Sequence, residues 1–80
     1  MVKEEILMKL NQIFIDELDN KDIQLSNEIT AEDIPEWDSL SHIYLVVAIE
    51  KDFNIRFSSA AIKEWKCVGD IIQTIEQKNS

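Results

Sequence analysis

The sequence predicts an all-α fold: a four-helix bundle with a long loop between the first two helices and a short third helix. The chain has one Gly and one Pro in 80 residues, too few for an all-β fold, which needs turn residues at short, regular intervals. Apolar residues recur instead at helical spacing. Length sets the scale: residues 1–80 are expected to form a single domain with one thin core and no room for a deep pocket. The apolar content, 45%, is that of a folded chain and not of a disordered tail.

The first helix is expected from Lys3 to Leu18. Ile6, Leu7, Leu10, Ile13, Phe14 and Leu18 share one stripe, and Lys9, Asn11, Gln12 and Glu17 lie off it. Asp19-Asn20 end it. Residues 19–37 form a long connection rich in Asp, Asn, Ser, Thr and Glu, with a short helical turn near Ala31. A loop of this length in a small domain is functional or pinned down, and Ile23, Leu25, Ile29 and Ile34 are the residues that could pin it. Pro35 holds Ile34 out of helix.

The second helix starts at Asp38 or Ser39, either of which can cap it, and runs to Asp52 or Phe53. It carries two apolar stripes. Leu45, Val46, Ile49 and Phe53 make one; Leu40, Ile43, Tyr44 and Val47 make the other. A small bundle needs one stripe for its core. The second either packs as core too or meets a partner. Asn54-Ile55-Arg56-Phe57 is an extended link. Ser58 and Ser59 are candidate caps for a short third helix from Ser59 to Trp65. The last helix runs from Val68 to Gln77 on Val68, Ile71, Ile72 and Ile75, and Lys78-Asn79-Ser80 are expected to fray.

Charge and cysteine content narrow the function classes. The net charge is −8, all of it in the first half: residues 1–40 hold eleven acids and three lysines, and residues 41–80 hold five acids and five bases. This balance disfavours nucleic acid and favours partners with basic patches, although acids also simply keep small domains soluble. Cys67 is alone, so neither an internal disulfide nor a Cys-rich metal site is expected, and a cytoplasmic location fits. Acids at Glu4 and Glu5 interrupt any leader-like start. The longest uncharged run, Ser39 to Ile49, is far short of the ~20 residues that span a membrane.

Several chemistries can be weighed on residue types. Asp38, Ser39 and His42 are the types of a nucleophilic triad, but no Gly-rich turn nearby could form an oxyanion hole. The acids Glu28, Glu32, Asp33, Glu36 and Asp38 lack the spacing and the Gly of a calcium loop, and read as a solvated acidic segment with no metal site. Cys67 reads as a small, half-buried residue, and Trp37 and Trp65 as core or boundary aromatics. Ser39 reads either as a cap or as a modification site. A hydroxyl at a helix start is where an attached phosphodiester is best tolerated, since free amides and the helix dipole both favour the anion.

At Asp38-Ser39-Leu40 the sequence resembles the acyl carrier protein family, whose Asp-Ser-Leu motif heads the second helix of a four-helix bundle. The likeness continues through Ala48-Ile49-Glu50-Lys51-Asp52-Phe53, through Asn54-Ile55-Arg56-Phe57, and into Val68-Gly69-Asp70-Ile71-Ile72. It implies a carrier and not an enzyme. Ser39 would bear 4'-phosphopantetheine, placed there by a phosphopantetheinyl transferase from coenzyme A with Mg²⁺. The arm's thiol would carry acyl groups as thioesters to loading and processing enzymes. Asp38 would lie at the transferase and metal contact, and Leu40, Ile43, Tyr44 and Val47 would form the docking face of a monomer.

The departures from the family pattern are informative. Ser41 and Tyr44 stand where acids are usual, Lys51 interrupts a later acidic run, Trp37 replaces a small residue, and Cys67 replaces a frequent Thr. They imply a specialised route, such as polyketide or polysaccharide modification, in place of housekeeping fatty acid synthesis. An aminoacyl or peptidyl carrier shares the fold and the serine. An unmodified helical adaptor using the same face is the competing class.

Overall fold

A computed structural model describes residues 2–79, with four helices in the expected order. Helix α1 spans Lys3–Leu18, α2 Ser39–Phe53, α3 Ser59–Glu64 and α4 Val68–Asn79, and a 3₁₀ turn, Ala31–Asp33, lies in the long loop. Helix α1 packs against both α2 and α4. Glu4 and Glu5 sit in its first turn, where the helix dipole favours acids.

In a chain with one glycine, other residues must make the left-handed turns that end helices. Asp19 (φ 52°) and Asn54 (φ 56°) do so after α1 and α2, and both residue types enter that region more readily than most. The next amides close the same turns: Asn20 N–H donates to Ile15 O at 3.3 Å and Ile55 N–H to Glu50 O at 3.1 Å. Ser58, not Ser59, caps α3 by accepting from Ala61 N–H at 3.1 Å.

The core joins α1, α2 and α4 with the loop. Ile6, Leu10 and Phe14 meet Leu45, Ile49, Val68, Ile71 and Ile75. Ile23, Leu25 and Ile34 are buried as the pins of the loop, and Ile29 packs against the cluster partly buried. Polar contacts fix the same segment. Leu25 N–H donates to Asn11 Oδ1 at 2.7 Å. Val68 N–H donates to Ile29 O at 2.8 Å and Gly69 N–H to Asn27 O at 3.0 Å. These two amides open α4 and have no partner within it, so loop carbonyls satisfy them. The approach is close at Gly69, where a Cβ would stand 3.1 Å from Asn27 O.

Two helix ends differ from the sequence expectation. Helix α3 stops at Glu64, because Trp65 turns extended (ψ 116°) as its N–H closes a tight bond to Ile62 O. Helix α4 continues through Lys78 to Asn79, as no Gly or Pro follows Gly69 to stop it; Ser80 lies outside the described residues.

Candidate functional site

The start of α2 is built by Asp38 and Ser41. Asp38 holds an extended backbone (φ −114°, ψ −171°) as the N-cap, and its Oδ1 accepts from Ser41 N–H at 2.9 Å. In return, Asp38 N–H donates to Ser41 Oγ at 2.8 Å. The Ser41 hydroxyl donates onward to Glu36 O at 2.8 Å. This reciprocal capping leaves Ser39 as the first helical residue, exposed, with its hydroxyl in no hydrogen bond among the described residues. The Ser41 amide, then the Ser41 side chain, hold the Asp38 carboxyl below the usual carboxylate range. Asp38 is therefore ionised at neutral pH while it caps.

The residue types of a triad do not assemble. His42 is turned to Trp37, whose Nε1–H donates to His42 Nδ1 at 3.0 Å. The Asp38 carboxylate is committed to Ser41 rather than to the imidazole. Burial lowers the His42 pKa, and a donor aimed at Nδ1 opposes protonation there as well. Among the described residues no three His, Cys, Asp or Glu side chains converge as a metal site.

The two stripes of α2 separate cleanly. Leu45 and Ile49 are at most 1% exposed, and Val46 and Phe53 are 8% exposed. Leu45, Ile49 and Phe53 belong to the core cluster; Val46 is buried outside it. Leu40, Ile43, Tyr44 and Val47 are 44–63% exposed. They form an uncovered apolar face that starts at the residue after Ser39 and runs two turns along α2. Ile43, Tyr44 and Val47 also line an open cleft of about 680 Å³ with Asp16 and Glu17 of α1.

A second groove, about 420 Å³, begins at Ser39 and reaches Lys66 and Cys67. Its aromatic wall was not legible as a unit in the sequence. The Trp37 ring stands edge-on to Phe14 of the core at 4.9 Å and stacks on His42 at 6.1 Å. His42 meets the Trp65 ring edge at 6.0 Å, and Trp65 meets Phe57 at 4.9 Å. Trp65 Nε1–H donates to Thr74 Oγ1 at 3.0 Å. No periodicity rule links residues 37, 42 and 65, which come from a loop, a helix and a link.

The head of α2 thus sets an exposed, uncommitted hydroxyl beside an uncovered apolar face. The comparisons with known proteins say what kind of protein this is. The family model described as phosphopantetheine attachment site matches residues 10–75. The chain is 32% identical over 76 residues to the acyl carrier protein of Thermotoga maritima, spanning 95% of this chain and 94% of that one. The solution NMR structure of holo acyl carrier protein from Geobacter metallireducens superposes with a TM-score of 0.87 at 37% identity, covering 91% of this chain and 84% of that chain. The chain belongs to the acyl carrier protein family. It is a non-catalytic acyl carrier with a phosphopantetheine prosthetic group, and it works with acyl-processing enzymes.

The residues at the head of α2 fit that group. An exposed hydroxyl unused in capping is free to form an ester. A phosphodiester there gains about 0.3–1 kcal/mol from the helix start. When bound, the arm supplies a thiol on which acyl groups travel as thioesters.

Proposed function

We propose that Ser39 is the hydroxyl that receives the arm, within a single carrier domain of residues 1–80. The observation that carries this is the division of labour at the head of α2: Asp38 and Ser41 do the capping, and the Ser39 hydroxyl is left exposed and uncommitted. A radius of gyration of 11.4 Å, against about 11.6 Å for a compact 80-residue domain, supports the single unit. Asp38 is the contact for the transferase and its metal. It is ionised and exposed at the residue next to Ser39.

Leu40, Ile43, Tyr44 and Val47 are the docking face for loading and processing enzymes. They are uncovered, and they begin within a turn of Ser39. The charges beside this face are Asp16 and Glu17 of α1 and Lys51 and Asp52 near the end of α2, while Ser41 and Tyr44 on α2 are uncharged. A partner must therefore match a face with no acid at positions 41 and 44 and with Lys51 among the acids around it, which supports a dedicated, specialised pathway over housekeeping fatty acid synthesis. The protein acts as a monomer in the cytoplasm; the lone Cys67, with no disulfide framework, suits that compartment.

The test is intact mass after incubation with coenzyme A, Mg²⁺ and a broad-specificity phosphopantetheinyl transferase. Wild type should gain one arm and Ser39→Ala none. A wild type left unlabelled by several transferases would overturn the assignment.

A further inference from the structure

Taking Ser39 as the attachment point, we propose that Trp37 and His42 are positioning residues for the attachment reaction: their side chains clasp across the start of α2 and hold Asp38 and Ser39 as the transferase must meet them. With Asp38 as the N-cap, Trp37 immediately precedes the cap and His42 is the fourth helical residue. These are the two positions at which apolar side chains staple a helix start and fix the angle at which the chain enters it. Here the staple is directional. Trp37 Nε1–H donates to His42 Nδ1 at 3.0 Å, and the two rings lie within 20° of parallel. An apolar pair can slide, whereas a donor and an acceptor lose their bond when they do. Burial keeps the imidazole neutral near pH 7, so Nδ1 stays an acceptor.

Both ends of the clasp are fixed to the bundle. Trp37 is buried, stands edge-on to Phe14 of α1 at 4.9 Å, and donates its backbone N–H to Ile34 O at 3.0 Å. His42 meets the Trp65 ring edge at 6.0 Å, and Trp65 Nε1–H in turn donates to Thr74 Oγ1 of α4 at 3.0 Å.

The helix does not need the clasp in order to start, because Asp38 and Ser41 already exchange their capping bonds. What the clasp adds is direction. It sets how the chain approaches α2, and with it where the exposed Asp38 and Ser39 side chains stand. A turn that is only fractionally formed binds with an apparent affinity reduced by that fraction, so a turn already in place binds at full strength.

The experiment measures transferase kinetics with the apo protein as the varied substrate at saturating coenzyme A and Mg²⁺, and intact mass reports attachment separately. His42→Leu removes the acceptor and Trp37→Phe removes the donor. Each should raise the KM for the carrier severalfold and leave kcat unchanged, with faster exchange at the Ser41 amide. His42→Asn places Oδ1 where Nδ1 stands and should restore the wild-type KM, although Leu is the better helix former of the two. The double variant should raise KM no more than the larger single change, since both break one bond. Asn11→Ala, which loosens the loop at Leu25, should leave KM at the wild-type value in spite of its stability loss. A KM within about twofold of wild type in His42→Leu, no recovery in His42→Asn, or an equal rise in Asn11→Ala would overturn the clasp while attachment at Ser39 stands. A fall in kcat at unchanged KM would overturn the positioning role by placing these side chains in the reaction itself. If wild type gains no mass, the attachment reading fails, and the role of the clasp with it.

Discussion

Truncating the two stripes of α2 separates their roles. Ile49 is fully buried. Ile49→Ala deletes three carbons worth about 0.8 kcal/mol each on burial, or ~2.4 kcal/mol, before any cavity is counted. With the cavity, the loss falls in the measured range for such changes, about 2–5 kcal/mol. Val47 is 44% exposed. Val47→Ala deletes two carbons at roughly half burial, about 0.9 kcal/mol. Alanine's better helix propensity returns about 0.5 kcal/mol, for a net loss near 0.4 kcal/mol. Urea denaturation resolves this contrast: at a slope of about 1 kcal/mol/M, the midpoint falls by roughly 2 M or more for Ile49→Ala and by less than about 0.5 M for Val47→Ala. Val47→Ala should instead weaken the interaction with a cognate acyl-processing enzyme. Equal midpoint shifts with unchanged slopes would show that both stripes hold the core and that no face is spare.

Other perturbations give further checks. Asn11→Ala removes the acceptor for the part-buried Leu25 N–H and should cost about 1–3 kcal/mol in denaturant unfolding, with faster amide exchange at Leu25. His42 titrates lower in the folded than in the unfolded chain, where its pKa is about 6.5, so the unfolded state binds more protons below that pH. Stability should be full above about 6.5 and decline as pH falls through the folded value; His42→Gln should abolish that slope. Asp38 is also depressed when folded, so its contribution is present above the ordinary carboxylate range and is lost as pH falls through the folded value. Asp38→Ala should fray the first turn of α2, seen as faster exchange at the Ser41 amide.

Much of the fold was legible because the relevant signals are local. The stripe in α1 needs only spacing, and its bounds came out as Lys3–Leu18. The two stripes of α2 were visible as a surplus of apolar residues, yet spacing alone could not say which faced solvent; packing against α1 decided it. The loop's pins were visible, but not where its carbonyls go, since Ile29 and Asn27 meet amides some forty residues away. Ser41 looked like a missing acid and turns out to close the cap that frees Ser39. Trp37 and Trp65 were read as core or boundary aromatics and His42 as a triad-type residue beside Ser39, because only the bundle joins the three.

The most direct measurement is fragmentation of the modified peptide spanning residues 36–50 from holo protein. Ser39 and Ser41 are two residues apart, and both are serines near the helix start. The Ser41 hydroxyl donates to Glu36 O, whereas the Ser39 hydroxyl is uncommitted. All of the added mass is expected on Ser39. Finding it on Ser41 would contradict the assignment of the attachment site and the capping logic behind it.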